Sequence, residues 1–145
     1  MSYLVDTNVL LRSVEDQHPM NAAAVEAIRL LLEQGEQLYI LPQNLIEFWA
    51  VATRPASANG LDLNVAEAIA QLEELKTIFT FQPDTSAIFA AWESLVVKYE
   101  VKGKQAHDTR LVAAMITHQI THLLTFNLAD FRRFPEITAI DPRDL

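Results

Sequence analysis

Four acidic side chains lie where apolar segments give way to turns or helices. Asp6 closes the apolar run Tyr3-Leu4-Val5, and Glu47 sits early in an apolar helical stretch. Asp108 falls at a helix start, and Asp130 follows the apolar segment His122 to Phe126, with Asn127 between them. Each has an ordinary explanation: Asp6 and Asp108 as helix caps, Glu47 as an edge residue reaching solvent, Asp130 as a loop charge. Brought together, they would need something more. Two carboxylates 4 Å apart at an effective dielectric of 20 repel by about 4 kcal/mol, and a buried unpaired acid tends to stay protonated. A divalent cation removes both difficulties. An all-oxygen donor set suits Mg²⁺ or Mn²⁺ better than zinc. Carboxylate-bound Mg²⁺ fits phosphodiester hydrolysis, with one ion or a pair about 3.5–4 Å apart, and needs no serine, cysteine or histidine nucleophile. His107, beside Asp108, reads as a hydrogen-bonding loop histidine rather than a ligand or proton carrier.

Composition sets the frame. The chain has 145 residues, half of them hydrophobic, which suits one domain with a substantial core. Without cysteine there are no disulfides or thiolate metal sites. No run reaches the ~18 apolar residues of a membrane span, and the N-terminus lacks the pattern of a signal peptide, so a cytoplasmic protein with no membrane association is expected. Net charge is -8 and the pI about 4.8, unfavourable for long-range attraction of nucleic acid. Against that, Lys102, Lys104, Arg110, Arg132 and Arg133 are close in sequence to the candidate acids, and Arg12 and Arg54 follow two others. They form either a basic rim or scattered solubilising charge.

Positioning these acids requires alternating strands and helices. Strands are expected at Tyr3–Val5, Leu38–Leu41, Ile78–Phe81, His122–Phe126 and Ile137–Ile140. Thr7 and Asn8 read as turn or cap residues. Helical periodicity covers Asn21–Gln34, with Ala24, Ile28, Leu31 and Leu32 on one face. It resumes over Gln43–Thr53, with Leu45, Phe48, Trp49 and Ala52 inward. The next helix, Val65–Lys76, is capped by Asp62 or Asn64 and faces inward through Ala66, Ile69, Leu72 and Leu75 or Lys76. Another runs from a cap at Asp84 or Thr85 to about Tyr99, and a last one from Asp108 to about His118. Lys98–Ala106 reads as a loop, and Asn127–Phe134 as a loop or short helix. Apolar strands alternating with helices predict an α/β fold, a three-layer α/β/α sandwich with a central parallel sheet. Strand carboxyl ends and helix starts would meet along one edge, where open α/β sheets place ligands.

Four segments carry a further signal: Val5-Asp6-Thr7-Asn8-Val9-Leu10, Asn44-Leu45-Ile46-Glu47-Phe48, His107-Asp108-Thr109-Arg110-Leu111-Val112-Ala113-Ala114 and Leu124-Thr125-Phe126-Asn127-Leu128-Ala129-Asp130-Phe131. In this order and spacing the sequence resembles the PIN-domain family, and within it the VapC-type toxin ribonucleases, from Tyr3 to Ile140. The resemblance implies a PIN-like α/β/α fold and Mg²⁺- or Mn²⁺-dependent cleavage of single-stranded RNA. It makes Asp6 and Asp108 the principal metal ligands, with Glu47 completing the site directly or through water. Thr7 or Asn8 would position Asp6, with Thr125 as a further supporting residue. The fourth position falls to Asn127 or Asp130, and an asparagine there would weaken a second metal. The resemblance also implies a homodimer and a partner antitoxin. Two other classes compete: a PIN-fold module that binds RNA or protein without cutting, and a phosphotransferase with Asp6 as nucleophile. The latter is disfavoured because the position two residues on is Asn8 rather than an acid.

Overall fold

The computed structural model describes residues 1–145. Five strands form one parallel sheet: β1 (Ser2–Val5), β2 (Gln37–Ile40), β3 (Thr80–Phe81), β4 (His122–Leu124) and β5 (Thr138–Ile140), in the order β3-β2-β1-β4-β5. Register runs Leu4 to Tyr39 on one side of β1 and Leu4 to Leu123 on the other. Six helices cover the sheet: α1 (Thr7–Val14), α2 (Asn21–Glu33), α3 (Pro42–Thr53), α4 (Val65–Ile78), α5 (Ile88–Lys98) and α6 (Gln105–His118).

Strand alternation divides the core between two faces. Tyr3, Val5, Leu38, Ile40 and Leu124 point to one side and pack with α1 to α4 through Leu10, Ile28, Leu31, Phe48 and Leu75. Leu4 and Leu123 point to the other, against α5 and α6 through Leu95, Leu111, Val112 and Met115. This is the three-layer α/β/α sandwich that the alternation implied. A strand buried on both faces has to be apolar at every position, which is why β1 and β4 read as short unbroken runs.

The chain moves outward from β1 to β2 and β3, then crosses back to place β4 on β1's other side. The β1/β4 boundary is therefore the point where strand order reverses, and its carboxyl ends open the crevice that such sheets use for ligands. Asp6 leaves β1 there, and Thr125 leaves β4 directly beside it.

Several local expectations are corrected. Thr7 is not in a turn but is the first residue of α1. α4 runs on to Ile78, leaving β3 only two residues, and its inward face is Ala68, Leu72 and Leu75; Ala66 and Ile69 face solvent. Val65, Ile69 and Ile78 are apolar but exposed, so the periodicity had two competing phases. Asn64, not Asp62, caps that helix, through a reciprocal pair with Glu67. Neither Asp84 nor Thr85 caps α5, which begins at Ile88. Leu32 is exposed, its place on the inner face of α2 taken by Ala27. Asp108 lies inside the first turn of α6, which begins three residues earlier at Gln105.

Phe48 is fully buried between α3 and the sheet. Phe48→Ala is expected to lower unfolding free energy by about 3–5 kcal/mol in urea melts, while Val97→Ala, on an exposed face, stays within about 0.5 kcal/mol of wild type.

Candidate functional site

Asp6 is both a cap and a member of an acid cluster. Its Oδ1 accepts from the Thr7 backbone N–H at 2.8 Å, starting α1, and its Oδ2 accepts from the Thr125 hydroxyl at 2.8 Å and the Asn8 amide at 3.3 Å. Asn8 Oδ1 in turn accepts the Phe126 N–H at 3.2 Å. The turn after β1 is thus stitched to the turn after β4, and the carboxylate stays buried with both oxygens engaged.

Glu47 arrives from the second turn of α3. It is half-exposed, and its neighbour Ile46 faces solvent, so the apolar burial suggested by the flanking residues is not its environment. What holds it is the Thr7 hydroxyl, which donates to Glu47 Oε1 at 2.9 Å and accepts from Asn44 at 3.4 Å. Asn44 Oδ1 meanwhile accepts the Leu41 N–H at 2.9 Å, satisfying an otherwise free donor at the start of α3. Gln43, one residue earlier, donates to the His107 carbonyl at 2.8 Å and accepts from Arg110 at 3.2 Å. The start of α3 is therefore tied to the start of α6. Sequence reading gave Gln43 and Asn44 no role; the available signal was a pair of amides opening an otherwise apolar helix directly after Pro42.

α6 supplies Asp108. The segment before it turns at Gly103, whose φ of +65° is one that glycine adopts without strain. His107 is exposed, and its side chain bonds to nothing in the cluster. Asp130 stands on the short 3₁₀ turn Leu128–Phe131 after β4. Asn127 contributes its backbone N–H, donated to Thr125 Oγ1 at 3.0 Å, while its exposed side chain makes no hydrogen bond.

Electrostatics shows which acids share a neighbourhood. Burial pushes the Asp6 carboxyl up to about 6, opposed by the Thr125 and Thr7 hydrogen bonds and reinforced by the charges of Glu47 and Asp108. Asp108 is also pushed up to about 6, by desolvation, then by Asp130 and Glu47, with His107 and Lys104 working against the rise. Asp6 thus lies in the fields of Glu47 and Asp108, and Asp108 in those of Asp130 and Glu47, and none of the four forms an ion pair. No three of them are drawn tightly enough to make a ready metal cage. Two of the expected rim cations are spent elsewhere: Arg12 on Glu15 and Arg110 on Asp84.

Acids at the reversal point of a parallel α/β/α sheet define the class. The PIN domain profile matches residues 3–137, and the chain belongs to the PIN domain family. No curated protein matches it. Among solved structures, VapBC2 from Rickettsia felis, bound to a DNA fragment from its promoter, superposes with a TM-score of 0.75 at 14% identity, covering 97% of this chain and 98% of that one. A toxin–antitoxin complex from Klebsiella pneumoniae gives 0.64 at 19%, over 97% and 98%. VapC20 from Mycobacterium tuberculosis, a toxin cleaving the sarcin–ricin loop, gives 0.61 at 20%, over 84% and 87%. At these identities the likeness is one of fold.

Two outcomes test this geometry. Asn44→Ala leaves the buried Leu41 N–H without its acceptor and is expected to cost about 1–3 kcal/mol in urea melts. In the folded chain the Asp6 carboxyl holds its proton more tightly than in the unfolded chain. The stability this confers is full below about pH 4 and is lost as pH rises through about 6. With metal chelated, wild-type stability should therefore fall across that window. Asp6→Asn should remove a share of the fall on the order of 3 kcal/mol, read from melts in EDTA at stepped pH.

Proposed function

We propose that this chain is a divalent-metal-dependent endoribonuclease. It hydrolyses phosphodiester bonds of single-stranded or structured RNA and acts, as a single PIN-like domain, as the toxin of a toxin–antitoxin pair. One observation carries the reading: at the reversal edge Asp6 and Asp108 are each pushed up by burial and by neighbouring acids, Glu47 and Asp108 for the first, Asp130 and Glu47 for the second, and none of the four acids has a cationic ion-pair partner. Such a set is unfavourable on its own and favourable around a cation.

The donors fit a hard cation, all being carboxylate oxygens. Asp6 and Asp108 would hold Mg²⁺ or Mn²⁺ as principal ligands, with Glu47 and Asp130 completing the set directly or through water. The chemistry such an ion supplies when bound is polarisation of the phosphoryl oxygens and a water acidic enough to attack. The chain's own contribution is orientation. Thr7, Asn8 and Thr125 hold the Asp6 carboxylate in one attitude, and the Thr7 hydroxyl aims Glu47 toward the same edge. For the fourth position, the electrostatic coupling to Asp108 favours Asp130, while Asn127 shapes the turn through its backbone.

The toxin role rests on the family and on neighbours described as toxin–antitoxin assemblies and as a toxin cleaving the sarcin–ricin loop. An antitoxin protein and a homodimer follow as partners in this reading. We place it in the cytoplasm; no helix is long and apolar enough to cross a membrane. A second reading, an RNA- or protein-binding module that does not cut, is favoured by the open spacing of the acids.

Incubation with mixed RNA separates the two. Cleavage is expected with Mg²⁺ or Mn²⁺ and not with EDTA. Asp6→Asn or Asp108→Asn should each lower its rate by about 10²–10³-fold, the scale of losing one preorganised electrostatic group. Asp130→Asn should be damaging and Asn127→Ala much less so. Retained RNA binding with no cleavage under any metal selects the binding module.

A further inference from the structure

The distribution of ion pairs singles out one patch. Arg12, Arg29, Lys76, Lys98, Arg110 and Arg143 all lie against acids. The cations left without an anionic partner are Arg54, Lys102, Lys104, Arg132 and Arg133. In a chain of net charge -8, where acids outnumber bases 19 to 11, the unpaired cations stand out, and four of these five lie on the two segments that carry Asp108 and Asp130. Lys102 and Lys104 flank Gly103 immediately before α6, whose fourth residue is Asp108. Arg132 and Arg133 follow the 3₁₀ turn that carries Asp130. Each pair is thus about one turn of chain from a site acid, and all four residues are exposed.

The two segments are physically joined. Arg133 donates to Gln105 Oε1 at 2.6 Å and to the Tyr99 carbonyl at 3.4 Å, neutral acceptors that fix the guanidinium and leave its charge uncompensated. Tyr99, Lys102, Gln105 and Arg133 line an open notch of about 570 Å³, with Glu100 its only acid. Stability does not account for this arrangement. Cations at a helix amino end oppose the helix dipole, so Lys102 and Lys104 stand where a carboxylate would serve the fold better.

We propose that Lys102, Lys104, Arg132 and Arg133 form a phosphate-gripping rail that leads the backbone of a single-stranded RNA onto the acid edge. The inference rests on the nuclease reading and adds the residues that hold the substrate. A polyanion approaching Asp6, Glu47, Asp108 and Asp130 is repelled by them. The rail supplies the compensating attraction at the lip of the same crevice, with Lys104 close enough for its charge to be felt at Asp108.

The test is the salt dependence of binding of a fluorescein-labelled single-stranded oligoribonucleotide, followed by anisotropy with Ca²⁺ as the only divalent ion. The full-length triple variant Lys102→Gln/Lys104→Gln/Arg132→Gln is expected to bind about 10-fold or more weaker at low salt. Its log–log salt slope should be shallower by about 2, at about 0.7 per lost phosphate contact. Arg54→Gln, at the far end of α3 about 16 Å along the helix from Gln43, should match wild type. An unchanged affinity and slope in the triple variant overturns the rail. So does a triple variant that loses binding to polyglutamate while keeping RNA binding, which would mark the patch as a seat for an acidic protein. Wild type that binds through the rail but cuts no RNA with Mg²⁺ or Mn²⁺ overturns the nuclease reading and leaves the rail standing. Wild type that cuts RNA, with binding unaltered in the triple variant, overturns the rail alone.

Discussion

Much of this molecule answers to one awkward charge, the buried carboxylate of Asp6. It leaves the central strand at the place where the sheet reverses direction, and it is surrounded by donors rather than by a cation. The Thr7 N–H, the Thr125 hydroxyl and the Asn8 amide all point at it. Those contacts favour the ionised form, while burial and two neighbouring acids favour the neutral one, and the second influence is the larger. A fold seeking only stability would put an apolar side chain or a paired charge there. An acid retained at this point, within the fields of Glu47 and Asp108, is the feature on which the proposed cation site rests.

The surrounding polar groups serve that end at one remove. Thr7 joins Asp6's helix to Glu47, Asn44 holds Thr7 from behind, and Gln43 ties the start of α3 to the start of α6. No buried side-chain nitrogen or oxygen is left without a partner. A polar network satisfied throughout is rigid, because moving any member leaves another unpaired in a low-dielectric setting. In the proposed nuclease, rigidity matters because ligand oxygens that are already oriented need little reorganisation when charge develops.

The layered architecture was legible in the sequence because the buried parts of β1 (Tyr3-Leu4-Val5) and β4 (Leu123-Leu124) are unbroken apolar runs and the intervening helices keep a 3.6-residue period. The four acids were legible because each interrupts or follows such a segment. Strand order was not, since an apolar run carries no label for its neighbours, and it is the order that makes Asp6 and Thr125 adjacent. The inward phase of α4 was misread for a related reason: Val65, Ile69 and Ile78 are apolar on the exposed side and imitate a core stripe. The cations were legible as sequence positions and not as a surface. Only the folded chain distinguishes Arg110, paired with Asp84, from Lys104, which has no ion-pair partner.

The hydrogen bond between Thr125 and Asp6 spans 119 residues of chain, and β1 has its partners on both sides from later segments. Closing so large a loop is entropically slow and brings no reward until β4 is made. During synthesis one flank of β1 can pair early with β2, while its other flank stays open until β4 has been made. A chain released before β4 is made therefore holds Asp6 without its Thr125 donor and has no reversal edge.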